Sequence, residues 1–116
     1  MAREAVEAMF AGSLRMTCDK KNPGGCMVVQ AGLSCGEGSE AIRLELTAVR
    51  EAGVNRIRER FEQAQAAGEL PKTVNCGDLA RYVGTVIHGL GVQAAGGPTR
   101  QQLERVVEIA MRAWPA

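Results

Sequence analysis

The sequence predicts an all-α protein, an antiparallel bundle of about five helices that forms one domain over residues 1–116. Its apolar residues recur at steps of three and four, which is the helical period, and Gly, Pro and Asn separate the periodic segments. One short run, at residues 27–29, has strand character, but the sequence offers no second segment of that kind to pair with it. Hydrophobic residues make up 46% and charged residues 23%, so one ordinary core is feasible.

The first two predicted helices lie at residues 2–17 and 23–36, on either side of the polar turn DKKNPGG. Asn22 can cap the second of them, with Pro23 at its first position. This second helix is apolar nearly all round, and a helix of that kind is usually enclosed by others. The first helix is amphipathic, and its apolar face carries Val6, Met9, Phe10, Ser13 and Leu14.

A long third helix is predicted to begin after Ser39, a good N-cap residue, and to end near Gly68. Gly68 can adopt the left-handed conformation that closes a helix, and Pro71 cannot continue one. Arginine and glutamate occupy the side opposite the apolar stripe. The stripe consists of Ile42, Leu46, Val49, Gly53, Ile57, Phe61 and Ala64.

The fourth and fifth predicted helices follow Asn75 and Thr99, and Thr99 forms a capping box with Gln102. The fourth helix has three interior glycines, one of them Gly84, and each costs about 1 kcal/mol relative to Ala. Close approach of another helix is the expected compensation. The apolar stripes of the two helices are Leu79, Tyr82, Val83, Val86, Ile87, Leu90 and Ala94, then Leu103, Val106, Val107, Ala110, Met111 and Trp114.

The last two helices carry more apolar surface than a small bundle needs. One interpretation is a subunit interface, in which both helices meet their symmetry mates in a four-helix bundle. The other is that the same residues pack against the third helix within one chain. The pattern alone leaves both interpretations open.

Composition and motifs exclude several classes of function. The net charge of +1 does not predict the basic clusters of a nucleic-acid-binding surface, and no apolar run is long enough for a membrane span. Without the pattern of a signal peptide, the chain is expected in the cytoplasm. The four cysteines form no CxxC pair and lie far from the single histidine, so we expect no metal and no cofactor. Nothing predicts the acid, base or nucleophile of an enzyme.

Four segments follow one another in an order and spacing that resemble the C-terminal domain of TetR-family transcriptional regulators. They are GGCMVVQAGLSCG at 24–36, RFEQAQAAGELP at 60–71, LARYVGTVIHGLGVQAAGG at 79–97 and LERVVEIAMRAW at 103–114. The resemblance implies an antiparallel helical domain whose earlier helices enclose a pocket for a small hydrophobic effector. It also implies a homodimer formed by the last two helices. A complete regulator carries a helix-turn-helix before this pattern, and we expect this chain to lack it and to reach DNA only through such a domain.

The resemblance places the predicted ligand pocket among Met9, Phe10, Met27, Gln30, Ile57, Phe61 and His88. Methionines adapt to varied ligands, although a methionine at helical spacing is more often plain core. Gln30 needs a partner if it is buried, either the ligand or a neighbouring carbonyl. His88 is a polar anchor in the pocket wall or a partly buried residue at the dimer seam.

The predicted dimer interface consists of Val86, Leu90, Gln93, Val106, Ile109, Ala110 and Ala113. Gln93 and Arg105 are either polar contacts across this interface or part of a solvated face. An alternative to a homodimeric regulatory domain is a stand-alone helical module that dimerises with a full-length regulator. It would use the same two helices, so the sequence does not distinguish the two.

Overall fold

The computed structural model describes residues 1–18 and 40–115. In these ranges the chain forms helices and no strands, which confirms the predicted all-α class. Four helices are described, not the predicted five or so, because the second predicted helix at 23–36 lies outside the described residues. The four are α1 (Ala2–Cys18), α2 (Glu40–Ala66), α3 (Cys76–Ala94) and α4 (Arg100–Arg112).

Local capping fixes where these helices begin and end. The Asn75 side chain accepts a hydrogen bond from the Asp78 N–H at 2.9 Å, at the start of α3. At α4 the Thr99 hydroxyl accepts from the Gln102 N–H, and the Gln102 side chain accepts from the Thr99 N–H, at 3.2 and 2.8 Å. Gly68 follows α2 with a φ of 84°. The predicted caps and stop are therefore confirmed, while Ser39 lies outside the described residues.

Helix α3 is the centre of the packing, since it contacts α1, α2 and α4. The core forms where these helices meet, and aliphatic side chains fill most of it, as the low aromatic content requires. Phe61 of α2 meets the Trp114 ring edge-on, with centroids 5.6 Å apart. The largest fully buried side chains of the core are Phe10, Phe61, Val6 and Val83.

The predicted stripe of α2 holds only in the C-terminal part of the helix. Phe61 and Ala64 are buried there, whereas Ile42 and Val49 are each 54% exposed. Helix α2 has 27 residues and α3 has 19, so α2 is longer than its main partner by roughly 12 Å at 1.5 Å per residue. Among the helices of the described ranges, none is long and apolar enough to cross a membrane.

Candidate functional site

A cavity of about 500 Å³ lies among α1, α2 and α3. Its walls are mostly aliphatic, because each helix turns part of its apolar face toward it. Residues three or four apart on a helix share a face, which is how Ala2, Ala5 and Met9 of α1 come to line one wall. The remaining lining residues are Val6 of α1, Val49, Arg50, Gly53, Val54, Arg56, Ile57, Arg60 and Phe61 of α2, and Gly84, Ile87 and His88 of α3.

The structure brings four of the predicted pocket residues together at this cavity. They are Met9, Ile57, Phe61 and His88, which come from three different helices. Phe10 does not line the cavity, because it points into the core, where it is almost completely buried. The other two, Met27 and Gln30, lie outside the described residues.

Three arginines of the cavity wall were not predicted from the sequence: Arg50, Arg56 and Arg60. The charged residues of α2 were expected on the side away from the apolar stripe. Arg56 and Arg60 instead border that stripe, one helical turn apart, and a long arginine side chain can lie along an apolar wall with its charged end in water. The recurrence of arginine beside the stripe was the available signal.

His88 is the cavity residue whose protonation the fold perturbs. Burial lowers the pKa of its imidazole below the ordinary value of 6.5, and the nearby charges of Arg50 and Arg81 lower it further. A neutral imidazole offers one N–H donor and one acceptor nitrogen, so His88 can act as a polar anchor at neutral pH.

A bidentate ion pair beside His88 joins α2 to α3. The Arg81 guanidinium donates to both carboxylate oxygens of Glu51, at 2.6 and 2.7 Å. These hydrogen bonds lower the pKa of Glu51, with smaller contributions from the charges of Arg81, Arg50 and His88. Both side chains are about half exposed, so the pair orients the two helices more than it stabilises the fold.

The predicted interface residues of α3 and α4 differ in how far they are exposed. Ile109 is 62% and Val106 is 45% exposed, while Leu90 and Ala110 are buried in the core of their own chain. The burial of Leu90 and Ala110 is therefore explained by packing within one chain. Of the others, Gln93 and Ala113 are exposed and Val86 is half-buried. Val86, Leu90, Gln93 and Val106 also line a groove of about 570 Å³ between α3 and α4.

The described cysteines are separate from one another and from the cavity. Cys76 is buried at the start of α3, where burial raises the pKa of its thiol, and its Sγ donates to the Gln65 Oε1 at 3.5 Å. Cys18 is half-buried at the end of α1. Within residues 1–18 and 40–115, no three His, Cys, Asp or Glu side chains are grouped to hold a metal ion.

Comparison with known proteins places this fold in a family. Residues 2–110 match the tetracyclin repressor-like C-terminal domain. The chain belongs to this family. The TetR resemblance predicted from the sequence is therefore confirmed.

This TetR-like domain is similar to the HTH-type transcriptional repressor ComR of Escherichia coli strain K12, with 27% identity over 96% of the chain and 53% of ComR. It is also similar to a cysteine mutant of the TetR family transcriptional regulator CifR, solved in complex with 26-base-pair operator DNA. That comparison gives 37% identity, a TM-score of 0.92, and coverage of 98% of this chain and 59% of CifR.

A TetR transcriptional regulator from Rhodococcus sp. RHA1 shows 39% identity and a TM-score of 0.79, over 99% of this chain and 61% of its own. The chain thus spans between about half and three-fifths of the length of these relatives. All three are named as regulators of transcription.

Proposed function

We propose that this chain is the part of a TetR-family transcriptional regulator that binds a small apolar effector and forms a homodimer, without itself reading DNA. It acts by binding, in the cytoplasm, and catalyses no reaction. The observation that carries the proposal is the cavity among α1, α2 and α3, within a fold shared with regulators of transcription.

The size and lining of the cavity support a ligand site. Protein interiors contain few voids larger than a water molecule, whereas small-molecule sites enclose roughly 300–1,000 Å³. The cavity of about 500 Å³ falls in the second class. Its aliphatic walls suit an apolar ligand, the flexible thioether of Met9 adapts to the ligand's shape, and His88 supplies a directional polar contact.

Helix α3 connects the cavity to the proposed dimer surface. Ile87 and His88 line the cavity, while Val86 and Gln93 of the same helix line the groove beside α4. A ligand that displaces α3 therefore changes how α3 and α4 of one subunit meet those of the other. In an intact regulator, such a ligand favours one dimer geometry over another. This population shift would change how the DNA-binding half binds DNA.

The experiment uses N-phenyl-1-naphthylamine, a neutral apolar dye whose fluorescence rises when it leaves water. We expect saturable binding of one dye per chain. The test variant is Gly53→Phe, which projects a large apolar side chain from α2 into the cavity. A Cβ at Gly53 would have only the flexible tip of Arg56 nearby, at 4.0 Å, so the variant is expected to fold.

The matched control is Gly12→Phe, a change of the same size on α1 that does not line the cavity. Its nearest neighbour to a new Cβ is the Arg15 tip at 3.7 Å. Gly53→Phe should abolish dye binding, and Gly12→Phe should retain it. If the parent chain does not bind the dye, or if both variants bind it like the parent, the cavity is not the effector site.

A further inference from the structure

All the fixed charge on the cavity wall is positive. Arg50, Arg56 and Arg60 line it, and no Asp or Glu of the described ranges does. Because the pKa of His88 is lowered, its imidazole adds no charge that would alter this balance at neutral pH. A ligand that enters this aliphatic cavity therefore meets three positively charged guanidinium groups and no carboxylate.

Of the three arginines on the cavity wall, Arg56 and Arg60 are the two that have no partner within the described part of the chain. Neither makes an ion pair or a side-chain hydrogen bond with a described residue, whereas Arg58 between them contacts Glu62 at 3.7 Å. The Arg56 Nη2 lies 4.0 Å from the position of a Cβ on Gly53, so this side chain folds back along the cavity wall. Arg50 is already engaged, since it donates to the Thr47 hydroxyl at 3.2 Å.

We infer that the ligand of this cavity is an amphipathic organic anion, with an apolar body among α1, α2 and α3 and a carboxylate-sized group bound by Arg56 and Arg60. The inference rests on the proposed function, because it assigns a chemical class to the ligand of that same site. A guanidinium presents a planar fork of N–H donors that matches a carboxylate, and two of them one turn apart can share its two oxygens.

Other head groups are less compatible with this wall. A cationic group would lie beside like charges, and the repulsion grows as the apolar ligand excludes water from the cavity. A neutral group would leave both guanidinium groups without a charged partner. The apolar body contributes equally in all three cases, so the head group alone determines the preference.

The test compares three straight-chain compounds of similar chain length that differ in the charge of the head group: decanoate, decan-1-ol and decyltrimethylammonium. Each is tested for displacement of N-phenyl-1-naphthylamine from the 116-residue chain. Decanoate and decyltrimethylammonium are kept below the concentrations at which they form micelles, and decan-1-ol is kept below its solubility limit. Because Arg56 and Arg60 are both exposed to solvent, which weakens each ion pair, we expect decanoate to bind roughly five- to tenfold more tightly than decan-1-ol, and decyltrimethylammonium to bind most weakly.

The variants Arg56→Gln and Arg60→Gln each remove one of the proposed contacts. Each should weaken decanoate binding by roughly two- to fivefold and leave decan-1-ol binding unchanged. Arg15→Gln is the control, because it removes the same charge from an exposed position on α1 that does not line the cavity. It should change neither affinity.

Three outcomes overturn the inference, and they differ in what else they overturn. If the dye binds but decan-1-ol or decyltrimethylammonium displaces it as well as decanoate does, the ligand class is wrong and the cavity remains a ligand site. The same holds if Arg15→Gln weakens decanoate binding as much as Arg56→Gln and Arg60→Gln. If the dye itself does not bind, both the ligand class and the proposed function are wrong.

Discussion

A Cβ atom placed on Gly84 of α3 would lie 2.8 Å from the Cγ2 of Val54 on α2. Real Cβ contacts are essentially never this short, so α2 and α3 approach here at a distance that only glycine permits. Val54 is buried, and a β-branched side chain has little rotamer freedom with which to move aside. Both residues line the cavity, so their contact sets the width of the cavity between the two helices.

We expect Gly84→Ala to destabilise the protein in spite of the higher helix propensity of alanine. Overpacking a buried contact costs about 1–3 kcal/mol, while replacing an interior glycine gains up to about 1 kcal/mol. The expected result is a net loss of roughly 1 kcal/mol in the free energy of unfolding. Urea denaturation at one fixed protein concentration measures it, since the stability of a dimer depends on concentration.

Gly12→Ala is the control for this prediction. Its new Cβ would meet only the Arg15 Nη2 at 3.7 Å, an ordinary van der Waals distance, so the propensity gain is not opposed. We expect Gly12→Ala to increase the free energy of unfolding by up to about 1 kcal/mol. A Gly84→Ala variant that gains as much as Gly12→Ala would show that the Val54 contact is easily relieved.

The glycine contact also shows how far the sequence could predict this fold. Interior glycines in α3 predicted the close approach of another helix, because their cost requires a compensation. The partner Val54 was not predicted, since the expected stripe of α2 included Gly53, the residue before it, and not Val54 itself. The caps at Asn75 and Thr99 were predicted correctly, because capping depends on residues within one turn.

The candidate site was predicted less completely, for a physical reason of the same kind. Periodicity identifies the face of a helix that is buried, but it does not say whether a residue there meets another side chain or a cavity. Phe10 and Met9 are adjacent on α1, yet Phe10 fills the core and Met9 lines the cavity. Arg56 was assigned to the solvent by its charge, because a sequence does not show which way a long side chain folds.

His88 should make the stability of the protein depend on pH just below pH 6.5. Among the described residues, no other side chain with a perturbed pKa titrates in that range. Its pKa in the folded state lies below 6.5, so the unfolded chain binds the proton more readily. Stability is therefore complete above about pH 6.5 and falls as the pH drops through that value toward the lower, folded-state pKa. The lowered pKa values of Glu40 and Glu51 act only below 4.5, and that of Cys76 is raised above 9.0.

The measurement is thermal denaturation at pH 7.5 and 5.5 and constant ionic strength, for the parent and for His88→Gln. Glutamine keeps a donor and an acceptor but does not titrate, so the decrease in Tm on acidification should be smaller in the variant. His88 is the single histidine of the chain, which makes the comparison direct. An equal decrease in both proteins would mean that folding does not perturb this imidazole.

The proposed homodimer predicts that a charge at Ile109 prevents association. Ile109 and Val106 are exposed apolar side chains on one face of α4, and an apolar patch of this kind typically marks an interface. Leu90 is a poor position for the test, because it is only 2% exposed in its own chain and a charge there would disrupt the core. In the free subunit a carboxylate at position 109 stays in water, so the substitution Ile109→Asp destabilises only the dimer.

Light scattering at low micromolar concentration should give the parent twice the chain mass of 12.3 kDa. Ile109→Asp should give the mass of one chain and keep the helical circular dichroism of the parent, because an unpaired charge buried in an apolar interface is strongly destabilising. Ala52→Asp places the same charge at an exposed position on α2 and should remain dimeric. A parent of single-chain mass, or an Ile109→Asp variant that stays dimeric, would show that the surface formed by α3 and α4 is not the subunit interface. The effector would then act through a different contact, although its cavity would remain.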